Sequence, residues 1–160
     1  MARFCGGFYP GLGVSLFLAL FCLWLWQPER QVNRHTENLF RKAERKDWAG
    51  VGDFIDLSYA DQWSNDRALV LERMQAAFSY VRNLRISATE ASCTVTDGSA
   101  IWRGKIRISA EAGELGIFAE QRINSLASPF ELEWRHASAK PWDWKLFRVG
   151  NPDLEIPADF

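Results

Sequence analysis

The sequence predicts an α+β domain: three N-terminal helices packed on a curved antiparallel sheet, preceded by one transmembrane helix. Three observations carry this prediction. Residues 4–28 contain no charged side chain. Apolar residues then recur at helical spacing as far as Val81, and from Leu84 onward the period changes to two. Helices first and strands after them give an α+β layer arrangement rather than alternating βαβ units. With 160 residues, 48% of them hydrophobic, the chain is long enough for one compact domain and too apolar for a disordered one. Nineteen basic residues against twenty acidic ones leave no bulk field, so a dedicated nucleic-acid binder is not expected.

The first 27 residues hold a single charged side chain, Arg3, and residues 11–26 read GLGVSLFLALFCLWLW. Pro10 suits a first helical turn, and a helix over about 10–27 would rise about 27 Å, close to the ~30 Å of a bilayer's hydrocarbon core. Tyr9 at one end and Trp24 and Trp26 at the other supply an interfacial aromatic belt. A cleaved signal peptide needs small residues before the scissile bond, and this run ends in Trp-Leu-Trp-Gln, so residues 1–27 are read as a retained single-pass anchor. Arg30, Arg34, Arg41, Lys42, Arg45 and Lys46 favour a cytoplasmic domain by the positive-inside count, whereas a short basic head before an apolar run favours translocation. The expectation adopted is an extracytoplasmic domain. Cys93 is the only cysteine beyond the anchor, so no disulfide forms within the domain.

The domain is expected over 28–152, with an acidic tail over 153–160. Residues 31–46 place Val32, Leu39, Phe40 and Ala43 on one stripe of a charged helix. A short helix is expected over about 51–57, and Asn65 or Asp66 caps a third in which Leu69, Val70, Met74, Ala77, Phe78 and Val81 repeat. The first strand starts at Leu84, with a bulge expected near 90–92, and Asp97-Gly98 is a hairpin turn. The next strand sets Trp102, Gly104, Ile106, Ile108 and Ala110 against Arg103, Lys105, Arg107, Ser109 and Glu111. A third strand is expected over 115–124, aligning Ile117, Ala119, Gln121 and Ile123; a fourth aligns Phe130, Leu132, Trp134 and His136. The last runs over 142–149 with a slip at Leu146-Phe147, and Asn151-Pro152 ends it.

This order of elements, the segment DLSYADQWSNDRALVLERMQAAFSYVRNLRISATE over 56–90 and the closing strand WKLFRV resemble the nuclear transport factor 2-like superfamily. That superfamily includes SnoaL-like cyclases and ketosteroid isomerase-type enzymes. The resemblance covers about residues 31–152 and is one of topology and pattern; a cystatin-like sheet is the alternative arrangement. It implies a cone-shaped domain with a pocket between the concave sheet and the helices.

Candidates for lining that pocket are Tyr59, Asp61, Trp63, Trp102, Gln121 and Trp134, with Phe78 beside them. Large aromatics on alternating strands are ordinarily core. Gln121, in register with apolar neighbours, needs hydrogen-bond partners if buried. Proton-shuttling enzymes of the superfamily use an acid or histidine inside the cone. Here Asp56 and Asp61, flanking Tyr59, are the only carboxylates suited to a place at its mouth, and turn formation is their commoner use. His35 and His136 fall near the membrane-proximal helix and a turn, and no residue is assigned a catalytic role. No zinc spacing, phosphate-cradling glycine loop or nucleophile elbow occurs, so no metal or cofactor is expected. The function expected is a membrane-tethered, non-catalytic domain for binding a protein partner or a second copy. The alternative is an enzyme or carrier for a small apolar molecule, using a pocket near Tyr59.

Overall fold

A computed structural model describes residues 11, 13–18 and 27–155. Gly11 and residues 13–18 are helical, and among the described residues no helix is long and apolar enough to cross a membrane. The rest of the expected anchor, and residues 156–160 of the expected tail, lie outside the described residues.

The first helix of the domain, α1 (Pro28–Glu44), starts on a proline, whose fixed φ suits the first turn. It buries Val32, Thr36, Leu39 and Ala43, one face at spacings of four, three and four. Thr36 returns its hydroxyl proton to the Val32 carbonyl (3.0 Å), so the polar member of the stripe is satisfied within the helix. The second helix, α2 (Trp48–Phe54), begins three residues before the expected 51–57 because Asp47 caps it, accepting from the Gly50 N–H at 2.9 Å. It ends before Leu57 because Ile55 turns extended and bridges to Leu146. The third, α3 (Arg67–Ser79), is capped by Asp66, one of the two caps expected from the sequence, through the Leu69 N–H at 2.8 Å. Phe78 of α3 stacks on Trp48 of α2, centroids 5.9 Å apart.

Four antiparallel strands follow in the order β1 (Val81–Thr96), β2 (Ser99–Ala112), β3 (Phe130–His136) and β4 (Trp144–Gly150). Asp97 and Gly98 both take positive φ (44° and 81°), the geometry a two-residue hairpin matching the strand twist requires. The expected bulge occurs where the register slips between Thr89 and Ser92, with Glu90 at φ 56°. The slip near Phe147 is also present, since Trp134 pairs with Leu146 while Glu133 pairs with Arg148. Phe147 lies under the Arg135 guanidinium, 3.3 Å from its ring centroid.

Residues 115–124 are not a strand. They form a helix, α4 (Glu114–Asn124), begun at extended Gly113. The alternation of Ile117, Ala119, Gln121 and Ile123 fits period two, but the segment is rich in helix formers, and tertiary contacts with β2 decide its state. β2 outruns β3, whose pairing stops at Gly104. Beyond it Asn124 does the work of a strand, donating its Nδ2 proton to the Ile108 carbonyl at 2.8 Å and accepting the Ile108 N–H at 2.9 Å. Glu120 accepts from the Ala110 N–H.

The sheet's outer edges are capped as well, β4 along most of its length and β1 at its start. Residues 55–62 run beside β4, giving the Asp56, Ala60 and Gln62 N–H groups to the Leu146, Phe147 and Val149 carbonyls. At β1, Glu44 accepts from Ile86 N–H, and Lys46 donates to the Val81 carbonyl. Such capping suppresses edge-to-edge pairing with other chains. The buried core lies between α1, α2 and the inner sheet face and centres on Val32, Val51, Trp102, Leu132, Trp134 and Trp144.

Candidate functional site

The strand faces follow the alternation of the sequence. Trp102, Phe130, Leu132 and Trp134 are buried under the helices, and Arg103, Arg107, Glu131 and Arg135 are exposed on the outer face. Trp102 and Trp134, two of the six expected pocket residues, retain 2% and 0% exposure and fill the inner face. The Trp102 ring lies over Gly104, where a Cβ would stand only 2.5 Å from it, and receives the edge of Phe40 at 5.9 Å. His35 rests against Trp134 (6.0 Å) and Phe54 (5.6 Å), so this histidine contacts the core rather than lying free on its helix. Its Nε2 lies 2.9 Å from the Trp142 carbonyl and donates to it, tying α1 to the β3–β4 loop. Burial lowers its pKa below the usual 6.5.

Tyr59 and Asp61 come together in a polar cluster whose centre is the Asp61 carboxylate. It accepts from the Trp63 and Asn65 N–H groups (2.9 and 2.8 Å), from Asn65 Nδ2 (2.8 Å) and from the Tyr59 hydroxyl (3.5 Å). Burial first, and the Asp61 charge second, push the Tyr59 phenol above its ordinary range. This geometry organises the turn into α3. Asp56 closes a separate turn by accepting from Ser58 N and Oγ, which lowers its pKa. Trp63 is half-buried and donates its indole proton to the Leu154 carbonyl (2.8 Å). Gln121 is exposed on α4, because its segment is helical rather than a strand. Among the described residues, no group of three or more His, Cys, Asp or Glu side chains is arranged to hold a metal ion. Cys93 is half-buried, and burial pushes its thiol up to about 11.

Two surface features were not apparent from residue types alone. On the outer face a groove of about 380 Å³ runs between Gln62, Ile101, Glu131, Glu133 and Arg148. Its carboxylates are paired, Arg103 with Glu131 at 2.5 Å and Arg135 with Glu133 at 2.7 Å. On the inner face, beyond the end of β3, Ile86, Ala88, Ile106 and Ile108 are only half-buried. The length of the β1–β2 hairpin relative to β3 produces this lip, and alternation alone does not encode that length.

No family model matches the chain, and no curated protein sequence matches it. Solved structures do. The Bdellovibrio bacteriovorus protein Bd1075 superposes with a TM-score of 0.58 at 8% identity over 76% of this chain, which spans 40% of that protein's length. A conserved protein from Planctomyces limnophilus gives 0.57 at 12% identity, covering 75% of this chain and 91% of that one. A nuclear transport factor 2-like protein from Cytophaga hutchinsonii gives 0.52 at 9% identity, with 74% and 91% covered. Helices on the inner face of a four-stranded antiparallel sheet, matched by these structures, give the domain a nuclear transport factor 2-like fold.

Proposed function

We propose that the chain is a membrane-tethered, non-catalytic nuclear transport factor 2-like domain that acts in protein interaction or assembly. The observation that carries this reading is how the two sides of the sheet are used. Beneath α1 the inner face is filled by the domain's own Trp102, Trp134 and His35, while charged and apolar side chains stand exposed elsewhere on the surface. The tether rests on the uncharged run of residues 4–28, and the extracytoplasmic placement on the short basic head before it. Cross-linking of the full chain in native membranes, with several linker lengths, tests the reading. Discrete protein adducts in the alkali-resistant membrane fraction are expected, and monomer alone at every length overturns it. A second reading, a carrier or enzyme for a small apolar molecule, is favoured by the half-buried lip of Ile86, Ala88, Ile106 and Ile108. It predicts an apolar molecule retained by the purified chain, detectable by native mass spectrometry and lost on Ile106→Asp.

A further inference from the structure

The domain begins where the uncharged run ends, with no linker between them. The Gln27 carbonyl already accepts from the Arg30 and Gln31 N–H groups at 3.1 and 3.2 Å, so α1 starts on the last residue of the expected anchor. His35 follows about two turns later, roughly 10 Å along the helix axis from Pro28. Its Nε2 donates to the Trp142 carbonyl at 2.9 Å, which fixes the β3–β4 loop beside these first turns. The loop is also ordered from within. The Ala137 N–H donates to the Asp143 carbonyl (2.9 Å), the Asp143 N–H to the Lys140 carbonyl (3.1 Å) and the Trp144 indole to the Pro141 carbonyl (3.1 Å).

This ordered loop holds Trp142 in solvent with 54% of its surface exposed. Among the described residues it is the only exposed tryptophan; Trp48, Trp63, Trp102, Trp134 and Trp144 are buried or half-buried. One exposed apolar side chain is ordinary on a protein surface, so the meaning here lies in its position. An indole has an apolar body and a polar N–H, and its preferred place beside a membrane is the boundary between lipid tails and water. The ionic groups of this end are interspersed. Arg30, Arg34, Lys140 and Lys145 stand among Glu29, Asp143 and Asp97, the last on the turn whose Gly98 carbonyl accepts from the His136 N–H. Such a mixture offers no basic cluster to an anionic surface, which leaves the indole as the attracting group.

We infer that Trp142 is a second point of membrane contact, its indole entering the headgroup zone of the bilayer that holds residues 1–27. The inference rests on the tether proposed above and adds to it the surface that the domain turns toward the lipid. A headgroup zone is about 5–7 Å deep on each side of the hydrocarbon core, and the loop is fixed roughly 10 Å along α1 from the anchor's end. The length of an indole side chain and a modest tilt of α1 close that gap.

The test puts a photo-cross-linking residue in place of Trp142 or, as a control, of Tyr80, which is 87% exposed and precedes the end of β1 opposite the hairpin turn. Each full chain is reconstituted in phosphatidylcholine vesicles. Lipid adducts from position 142 are expected at about ten times the yield from position 80, unchanged in about 0.5 M salt because no ion pair with lipid is involved. The substitution keeps the backbone carbonyl that His35 binds. If it lowers the melting temperature all the same, quenching of tryptophan emission by brominated phosphatidylcholine carries the comparison, and the natural chain should be quenched more than Trp142→Phe. Alkali extraction of the same vesicles separates the two readings. A chain that resists alkali but gives no lipid adduct from 142, equal yields from 142 and 80, adducts only to a second copy, or adducts that require anionic lipid overturns the inference and leaves the tether standing. A chain released by alkali removes both.

Discussion

His35 shows how one side chain sets a pH dependence. A carbonyl only accepts, so Nε2 carries the proton in the bond to Trp142, and Nδ1 is left buried with no partner among the described residues. Protonation would place a second N–H there with nothing to receive it. The folded pKa is therefore below the unfolded value of 6.5. On acidification the unfolded chain takes up the proton first, so the stability due to neutral His35 is complete above pH 6.5 and is lost as pH falls through the folded value. Asp47, Asp56 and Asp153, whose pKa values are lowered by hydrogen bonds, act in a separate window below their ordinary 3.8. Urea midpoints measured between about pH 7 and 5 should decline in the natural chain. They should stay flat in His35→Gln, which keeps a donor for Trp142 and does not titrate. Equal slopes in both proteins would assign the effect to another group.

At the scale of elements, α4 depends on Asn124. Asn124→Ala removes both bonds to Ile108, leaving a strand N–H and C=O without partners on the half of β2 that β3 does not reach. Hydrogen exchange at Ile108 and through α4 should quicken about tenfold or more, while β3 and β4 keep their protection. Uniform quickening would mean that α4 is part of the global core. This helix also marks how far the sequence was legible. Asp66, Asp97-Gly98 and the two bulges were readable because each rests on local chemistry: a cap, a positive φ or a broken alternation. The strand expected over 115–124 was a misreading, because an amide side chain standing in for a β-strand leaves no trace in a hydrophobic period. Gln121, placed by that reading on a sheet face, stands exposed on the helix instead. Tyr59 and Asp61 were found together because they are close in sequence. The packing of His35 on Trp134 was out of reach, since the two are far apart in the chain and meet only through topology.

At the scale of the whole molecule, the helices-then-sheet order and the strand faces were legible, and the covering of the sheet edges was not. Residues 55–62 have no strand-like period of their own and become ordered by giving N–H groups to β4. Gln62 accepts from the Asn151 N–H, 89 residues further on, and Lys145 reaches back to the Asp53 carbonyl. A chain stopped at residue 143 should therefore lose more than its last strand. Proteolysis is expected to cut it within 55–62, where the full chain resists; protection of that segment without β4 would show that α2 and α3 hold it alone. The edge covering also sets the order of events during synthesis. Contacts between the first third of the domain and its last strand make a topology of high contact order, which folds slowly. At about 5–20 residues per second, translation of the intervening ~90 residues leaves the segment 55–62 without its partner for several seconds. The domain therefore cannot close until its last strand has been made, however early its helices form.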